Sequence, residues 1–299
     1  MARAARQLEL AGVFASAITP RRANSQDPDF SGLLDLLDFL AAGGVKGICL
    51  FGATGEFLDY SIAERQRLLY LAVKRSRVPL IAGVSHPTLA GAVQLADEAI
   101  AAGADGLILM PPTFYPYTQC EVEEFYMQFA RETGDAVPIL LHNLPQCTSI
   151  LETETVRRLM ASGRFAGIKD SSGEWEYFSQ LIELRRERPF ALLCGADRLA
   201  ARALAEGADG IISASACAVP ELVVALSRAP NNEAQRARLG EFVEWANRFP
   251  FPVAIKRAVE LRGQKSSPPL TPLAPGTAQA LAEFSAWFTA WLRQEPKNA

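Results

Sequence analysis

Along most of the chain, short apolar runs alternate with stretches whose apolar positions recur at a helical spacing. The strand-like runs are Val13–Ile18, Gly47–Phe51, Val78–Gly83, Gly106–Met110, Val137–Leu141, Phe165–Lys169, Phe190–Cys194 and Gly210–Ser213. Helical periodicity follows them at Phe30–Ala42, Ile62–Arg75, Leu89–Ala102, Glu121–Thr133, Glu154–Ala161, Glu174–Arg186, Arg198–Glu206 and Pro220–Arg228. Ser61, with Glu64 three residues later, has the spacing of a capping box at the second helix. Nearly continuous apolar runs are what parallel strands buried on both faces require. The phrases AAGGVKG, AAGADG and AEGADG recur at three helix-to-strand junctions, where glycine supplies a helix C-cap. Units of roughly even length favour closure into a (β/α)₈ TIM barrel over an open doubly wound sheet. The barrel is expected over residues 8–229. The alternation then stops, and a C-terminal helical extension is expected over residues 230–299. Its helices read as Glu233–Asn247, Pro252–Leu261 and Thr277–Arg293, with a proline-rich loop at Ser267–Gly276 and mobile last residues.

Composition narrows the function without identifying it. The chain has 299 residues, 49% of them hydrophobic, enough for one large core. Its 30 basic and 33 acidic residues leave a net charge of −3, and no basic stretch is interleaved with aromatics, so nucleic acid is excluded as a partner. Cys49, Cys120, Cys147, Cys194 and Cys217 are odd in number and never spaced C-x-x-C, the pattern of reduced thiols. No apolar run is long enough to span a bilayer, and the N-terminal segment has no signal-like apolar core, so no membrane partner is expected. A cytoplasmic enzyme is the expectation.

In a barrel of this kind the chemistry lies at the C-terminal ends of the strands. Those ends carry Thr19, Thr54, Glu56, His86, His142, Asn143, Lys169, Asp170, Gly195, Asp197 and Ser213. Both histidines of the chain are among them. Lys169 ends the apolar run FAGIK, and two readings stand side by side. Burial can shift the amine toward neutrality and make it a nucleophile for a carbonyl, or it can snorkel and pair with Asp170. The segment FGATGE either cradles a carboxylate or phosphate with N–H groups and the Thr54 hydroxyl, or is a tight turn that needs glycine. It lacks the Lys-Ser/Thr of a P-loop. Glu56 is expected to accept backbone N–H bonds, Asp170 to be structural, and Asn143 and Pro145 to shape the turn below His142.

FGATGEF, IAGV, AGADGLILMPP, HNLP and GIKDSSG, in that order, resemble the dihydrodipicolinate synthase / N-acetylneuraminate lyase family, with a likeness from about Ile18 to Pro220. The resemblance implies a class I aldolase-type barrel acting on pyruvate or another 2-oxo acid through a covalent imine at Lys169, with no other cofactor and no metal. It further implies substrate binding by Ala53, Thr54, Gly195 and Ile212, and assembly as a homotetramer or homodimer. Four polar positions depart from the family pattern. His142 stands where a tyrosine shuttles protons, Ala53 where a hydroxyl relays them, and Phe114 where a second tyrosine completes the relay. Cys147 replaces an arginine that holds the second substrate's carboxylate. The dihydrodipicolinate synthase reaction needs those groups and is not expected here. Three readings follow. His142 becomes the acid/base, its free pKa near 6.5 suiting pH 7. Alternatively, the barrel binds a 2-oxo acid as a sensor, or His86, His142 and Glu56 hold a metal. Tyr115 and Tyr117 are candidates to restore a phenol at the mouth.

Overall fold

The computed structural model describes residues 8–23, 25–269 and 271–294. Eight parallel strands run β1 (Gly12–Ser16), β2 (Gly47–Leu50), β3 (Leu80–Gly83), β4 (Gly106–Leu109), β5 (Ile139–Asn143), β6 (Gly167–Asp170), β7 (Ala191–Cys194) and β8 (Gly210–Ser213). They form a closed barrel in sequence order. The open-sheet alternative fails at one seam, where β1 also pairs with β8 from Gly12↔Gly210 to Ala15↔Ser213. Two glycines make that seam possible. Gly12 has φ +86°, and a Cβ at Gly210 would sit 2.2 Å from the Gly12 carbonyl oxygen.

Alternation along each strand divides the core in two. Phe14, Cys49, Ile81, Ile108, Leu140, Leu193 and Ile212 pack together inside the barrel, with Leu8 and Leu10 against them. Their strand neighbours, such as Val13, Ile48, Leu107, Leu141 and Ile168, belong to the larger core under the helices. The apolar filling occupies the middle and bottom of the barrel, leaving its C-terminal end for polar side chains.

Between the strands lie α1 (Phe30–Ala42), α2 (Ile62–Arg75), α3 (Leu89–Ala102), α4 (Gln119–Thr133), α5 (Thr153–Ala161), α6 (Trp175–Glu187) and α7 (Ala200–Ala205). The expected capping box at α2 is formed, with Ser61 and Glu64 each bonding the other's backbone N–H. The recurring GADG phrase proves to have a second use. Asp105 accepts the Leu80 N–H at 2.8 Å and Asp209 accepts the Leu192 N–H at 2.8 Å, each carboxylate capping the start of the adjacent strand. All five cysteines are free thiols.

After β8 come a one-turn helix α8 (Ser215–Ala218), then α9 (Pro220–Arg228), α10 (Glu233–Ala246), α11 (Val253–Leu261) and α12 (Pro275–Arg293). α12 starts at Pro275, two residues before the sequence pattern indicates, because proline suits the first helical turn. Phe242, Phe284, Phe288 and Trp291 bury the face between α10 and α12, and Trp245 stacks on Trp287 at 5.3 Å. Residue 270 of the expected loop and the expected mobile end at 295–299 lie outside the described residues. Among the described residues no helix is long and apolar enough to cross a membrane.

Candidate active site

A cavity of about 530 Å³ opens at the C-terminal end of the barrel. Strands supply its floor, and the turn into α11 (Phe249, Phe251 and Pro252) supplies much of one wall. Lys169 reaches it from β6 and is 6% exposed. Its ladder partners are His142 on β5 and Leu193 on β7. Among the described residues no carboxylate lies within ion-pair distance of its amine. Burial lowers its pKa from the ordinary lysine value, opposed by through-space attraction to Cys49, Asp197, Cys194 and Asp170.

The pairing with Asp170 does not form, because successive strand residues face opposite ways. Asp170 instead accepts Asn143 Nδ2 at 2.8 Å, Ser172 Oγ at 2.9 Å and the Ser172 N–H at 3.1 Å. Asn143 also accepts the Leu151 N–H at 3.0 Å, which pins the turn after β5. The lysine has room because residue 195 has no side chain: a Cβ at Gly195 would lie 2.5 Å from Lys169 Cε and 2.1 Å from Ser171 Oγ.

His142 is 3% exposed, and its Nε2 is hydrogen-bonded to Ser171 Oγ at 3.0 Å. Its pKa is pushed well below the ordinary histidine value, first by burial and then by the Lys169 charge. This corrects the expectation of a group titrating near neutrality. Both causes favour the neutral ring.

The FGATGE segment is a one-turn 3₁₀ helix over Ala53–Gly55, with Glu56 in the left-handed region. Thr54 is buried and donates its hydroxyl to Ser16 Oγ at 2.8 Å, which sets two hydroxyls side by side in the cavity wall. The side chain of Glu56 differs from expectation. It pairs with Lys256 Nζ of α11 at 2.8 Å instead of accepting backbone N–H groups. Lys256 also donates to the Pro268 carbonyl at 3.0 Å, so this contact ties the helical tail to the loop carrying Thr54.

Ala53, Thr54, His142, Cys147, Lys169, Gly195 and Ile212 all line the cavity. Ala53 and Cys147 also border an adjoining, mostly apolar cavity of about 630 Å³. Four candidates fall elsewhere. His86 caps its own turn, its Nδ1 accepting the Thr88 N–H at 3.1 Å under Gly91 of α3. Phe114 and Tyr115 pack edge-to-face on each other, 85% and 64% exposed, and line neither cavity; nor does Tyr117. With His86 displaced, no three His, Cys, Asp or Glu side chains among the described residues could hold a metal together. The sequence reading missed Ser16 and Ser171. Ser171 was within reach, since it immediately follows Lys169 and Asp170 at a strand end. Ser16 carried no signal of its own.

With this geometry in hand, comparison with known proteins is informative. The model of the Dihydrodipicolinate synthetase family matches residues 9–290. A 4-hydroxy-tetrahydrodipicolinate synthase of Methanothrix thermoacetophila is 32% identical over 272 residues, 88% of this chain and 91% of that protein. A probable 2-dehydro-3-deoxy-D-pentonate aldolase of Escherichia coli, YjhH, is 35% identical over 207 residues, 67% of this chain and 68% of that protein. The crystal structure of E. coli YagE, a protein of the dihydrodipicolinic acid synthase family in complex with pyruvate, superposes with a TM-score of 0.86 at 26% identity, covering 94% of this chain and 98% of that one.

Proposed function

This chain belongs to the dihydrodipicolinate synthetase family of lyases and aldolases, and within it we propose a lysine-dependent enzyme that makes or breaks a bond to pyruvate or a longer 2-oxo acid through an imine at Lys169. One observation carries the proposal. A buried lysine without a carboxylate partner costs stability, and here it stands in a cavity with its pKa lowered and Gly195 clearing its end. Its neutral amine attacks the C2 carbonyl carbon and water departs. The iminium then accepts the C3–C4 electron pair, which becomes the C2=C3 bond of an enamine as the C4 hydroxyl loses its proton and the C4 fragment departs as a carbonyl compound; in reverse, the enamine C3 attacks that carbonyl. In this reading Ser16 and Thr54, whose hydroxyls are paired in the cavity wall, hold the carboxylate. The cavity is far larger than pyruvate fills, which favours a longer chain.

The 4-hydroxy-tetrahydrodipicolinate synthase reaction is not part of the proposal. Ala53 offers no hydroxyl, and Cys147 no cation for a second carboxylate. Self-association into a dimer or tetramer is, because Leu58, Phe114 and Tyr115 remain 64%, 85% and 64% exposed in the single chain.

The test is pyruvate release from a panel of 4-hydroxy-2-oxo acids, read by coupling to lactate dehydrogenase. At least one acid is expected to be cleaved, and Lys169→Ala to abolish the release. Cleavage that survives Lys169→Ala overturns the proposal, and imine formation without turnover of any acid makes the barrel a 2-oxo-acid sensor instead.

A further inference from the structure

An imine mechanism needs a group that moves protons at the carbon next to the imine, and here neither the family tyrosine nor its hydroxyl relay is present. Ala53 ends in a methyl, and the Thr54 hydroxyl is donated to Ser16. His142 is in the right part of the cavity, yet its Nε2 is engaged by Ser171 Oγ at 3.0 Å. Ser171 is held by its backbone, whose N–H donates to the Asn143 carbonyl at 2.9 Å. Its hydroxyl lines the cavity. The same missing side chain that clears Lys169 clears Ser171. A single Cβ at Gly195 would touch both Ser171 Oγ and Lys169 Cε, at 2.1 and 2.5 Å, so the two atoms are no farther apart than the sum of those distances.

We propose that Ser171 is a catalytic residue of this site, exchanging protons between its hydroxyl and C3 of the Lys169-bound 2-oxo acid, with His142 acting through it as a positioning base. The proposal rests on the Lys169 imine reading. In the forward step the C3–H bond breaks and its electron pair forms the C2=C3 bond of the enamine. The C2=N π pair moves onto Nζ. The C3 proton goes to Ser171 Oγ as the hydroxyl's own proton passes to His142 Nε2. Charge is conserved, since the iminium becomes neutral as the imidazole becomes a cation. This ordering suits a ring whose protonation is opposed by burial and then by the lysine's positive charge: the two cations are never present together. The relay of this chain therefore comes from the end of β6 rather than the loop after β2.

The experiment uses pyruvate alone, which needs no second substrate. Loss of its C3 protons in D₂O is followed by NMR, and imine formation is measured separately by borohydride trapping and intact mass. Ser171→Ala is expected to trap pyruvate nearly as well as the wild type but to exchange C3 protons roughly 10²–10⁴-fold more slowly, the usual contribution of a positioned acid or base. Ser171→Thr, which keeps the hydroxyl, recovers most of the rate. His142→Gln slows exchange similarly, and the double variant is no slower than the slower single one, because the pair works as a unit. The wild-type rate also falls toward acid pH as His142 gains its proton, a limb absent in His142→Gln. Ser171→Gly, which adds no atom, stands in if Ser171→Ala proves unstable. Unchanged exchange in the Ser171 variants, or independent and multiplying effects of the two residues, overturns the relay while leaving the imine intact. A wild-type protein that neither traps nor exchanges overturns the imine reading itself, and the relay with it.

Discussion

Gly195→Ala isolates the steric arrangement on which the site depends. The new methyl would lie 2.5 Å from Lys169 Cε, 2.1 Å from Ser171 Oγ and 3.1 Å from the Asp170 carbonyl oxygen. The first two are side-chain atoms that can retreat, but only by leaving the position the cavity gives them; the third is strand backbone. Overpacking of this kind costs about 1–3 kcal/mol. At about 2 °C per kcal/mol for a chain of this size, the midpoint of thermal unfolding should drop by roughly 2–6 °C, well short of unfolding at room temperature. The effect on chemistry should be much larger. A displacement of about 1 Å of a reacting group costs on the order of 10²-fold, so borohydride trapping of pyruvate is expected to slow by about that factor. Gly240→Ala is the internal control: that glycine is exposed in the middle of α10 with nothing within 4 Å of its absent Cβ, and alanine there should stabilise by about 0.5–1 kcal/mol without altering trapping. A Gly195→Ala protein that traps pyruvate at the wild-type rate would refute the steric argument.

Three further outcomes are expected. Lys169→Met should abolish trapping yet raise stability by about 1–3 kcal/mol at pH 7, the usual cost of an unmatched buried polar group; because the folded pKa is lowered, the gain is full below that pKa and fades as pH rises toward about 10.4, which thermal melts across pH would check. Condensation of pyruvate with aspartate semialdehyde should stay at the background rate, and robust turnover would mean that Ala53 and Cys147 have been misread. Lys256→Met should destabilise by about 3 kcal/mol by stranding Glu56 and should weaken binding of the 2-oxo acid at Thr54; Lys256→Met combined with Glu56→Gln should recover part of the stability, and equal losses in the single and double variants would contradict the coupling.

The barrel was legible in the sequence because strands buried on two faces must be apolar throughout, and FAGIK is anomalous for ending in a charge. The two GADG phrases also flagged a real device, although their aspartates capping Leu80 and Leu192 N–H groups could only be seen in three dimensions. Local chemistry misled at His86, where a strand-end histidine serves as a cap for its own turn, and at Phe114 and Tyr115, which the single chain leaves facing outward. Long-range partners were invisible. Glu56 and Lys256 are 200 residues apart, and nothing in either neighbourhood announces the other. Ser171 was overlooked for the converse reason: it adjoins two conspicuous residues, and its meaning depends on the ring of His142 and the bare Cα of Gly195, which the barrel brings to it from two other strands.

The proposed imine chemistry requires Lys169 as the site of covalent attachment. The direct measurement is intact and peptide mass spectrometry of the protein incubated with pyruvate and borohydride. A single reduced pyruvoyl adduct is expected, confined to the peptide containing Lys169 and absent from Lys169→Ala. No adduct with pyruvate or any longer 2-oxo acid at millimolar concentration, or an adduct on a different lysine that persists in Lys169→Ala, would contradict it.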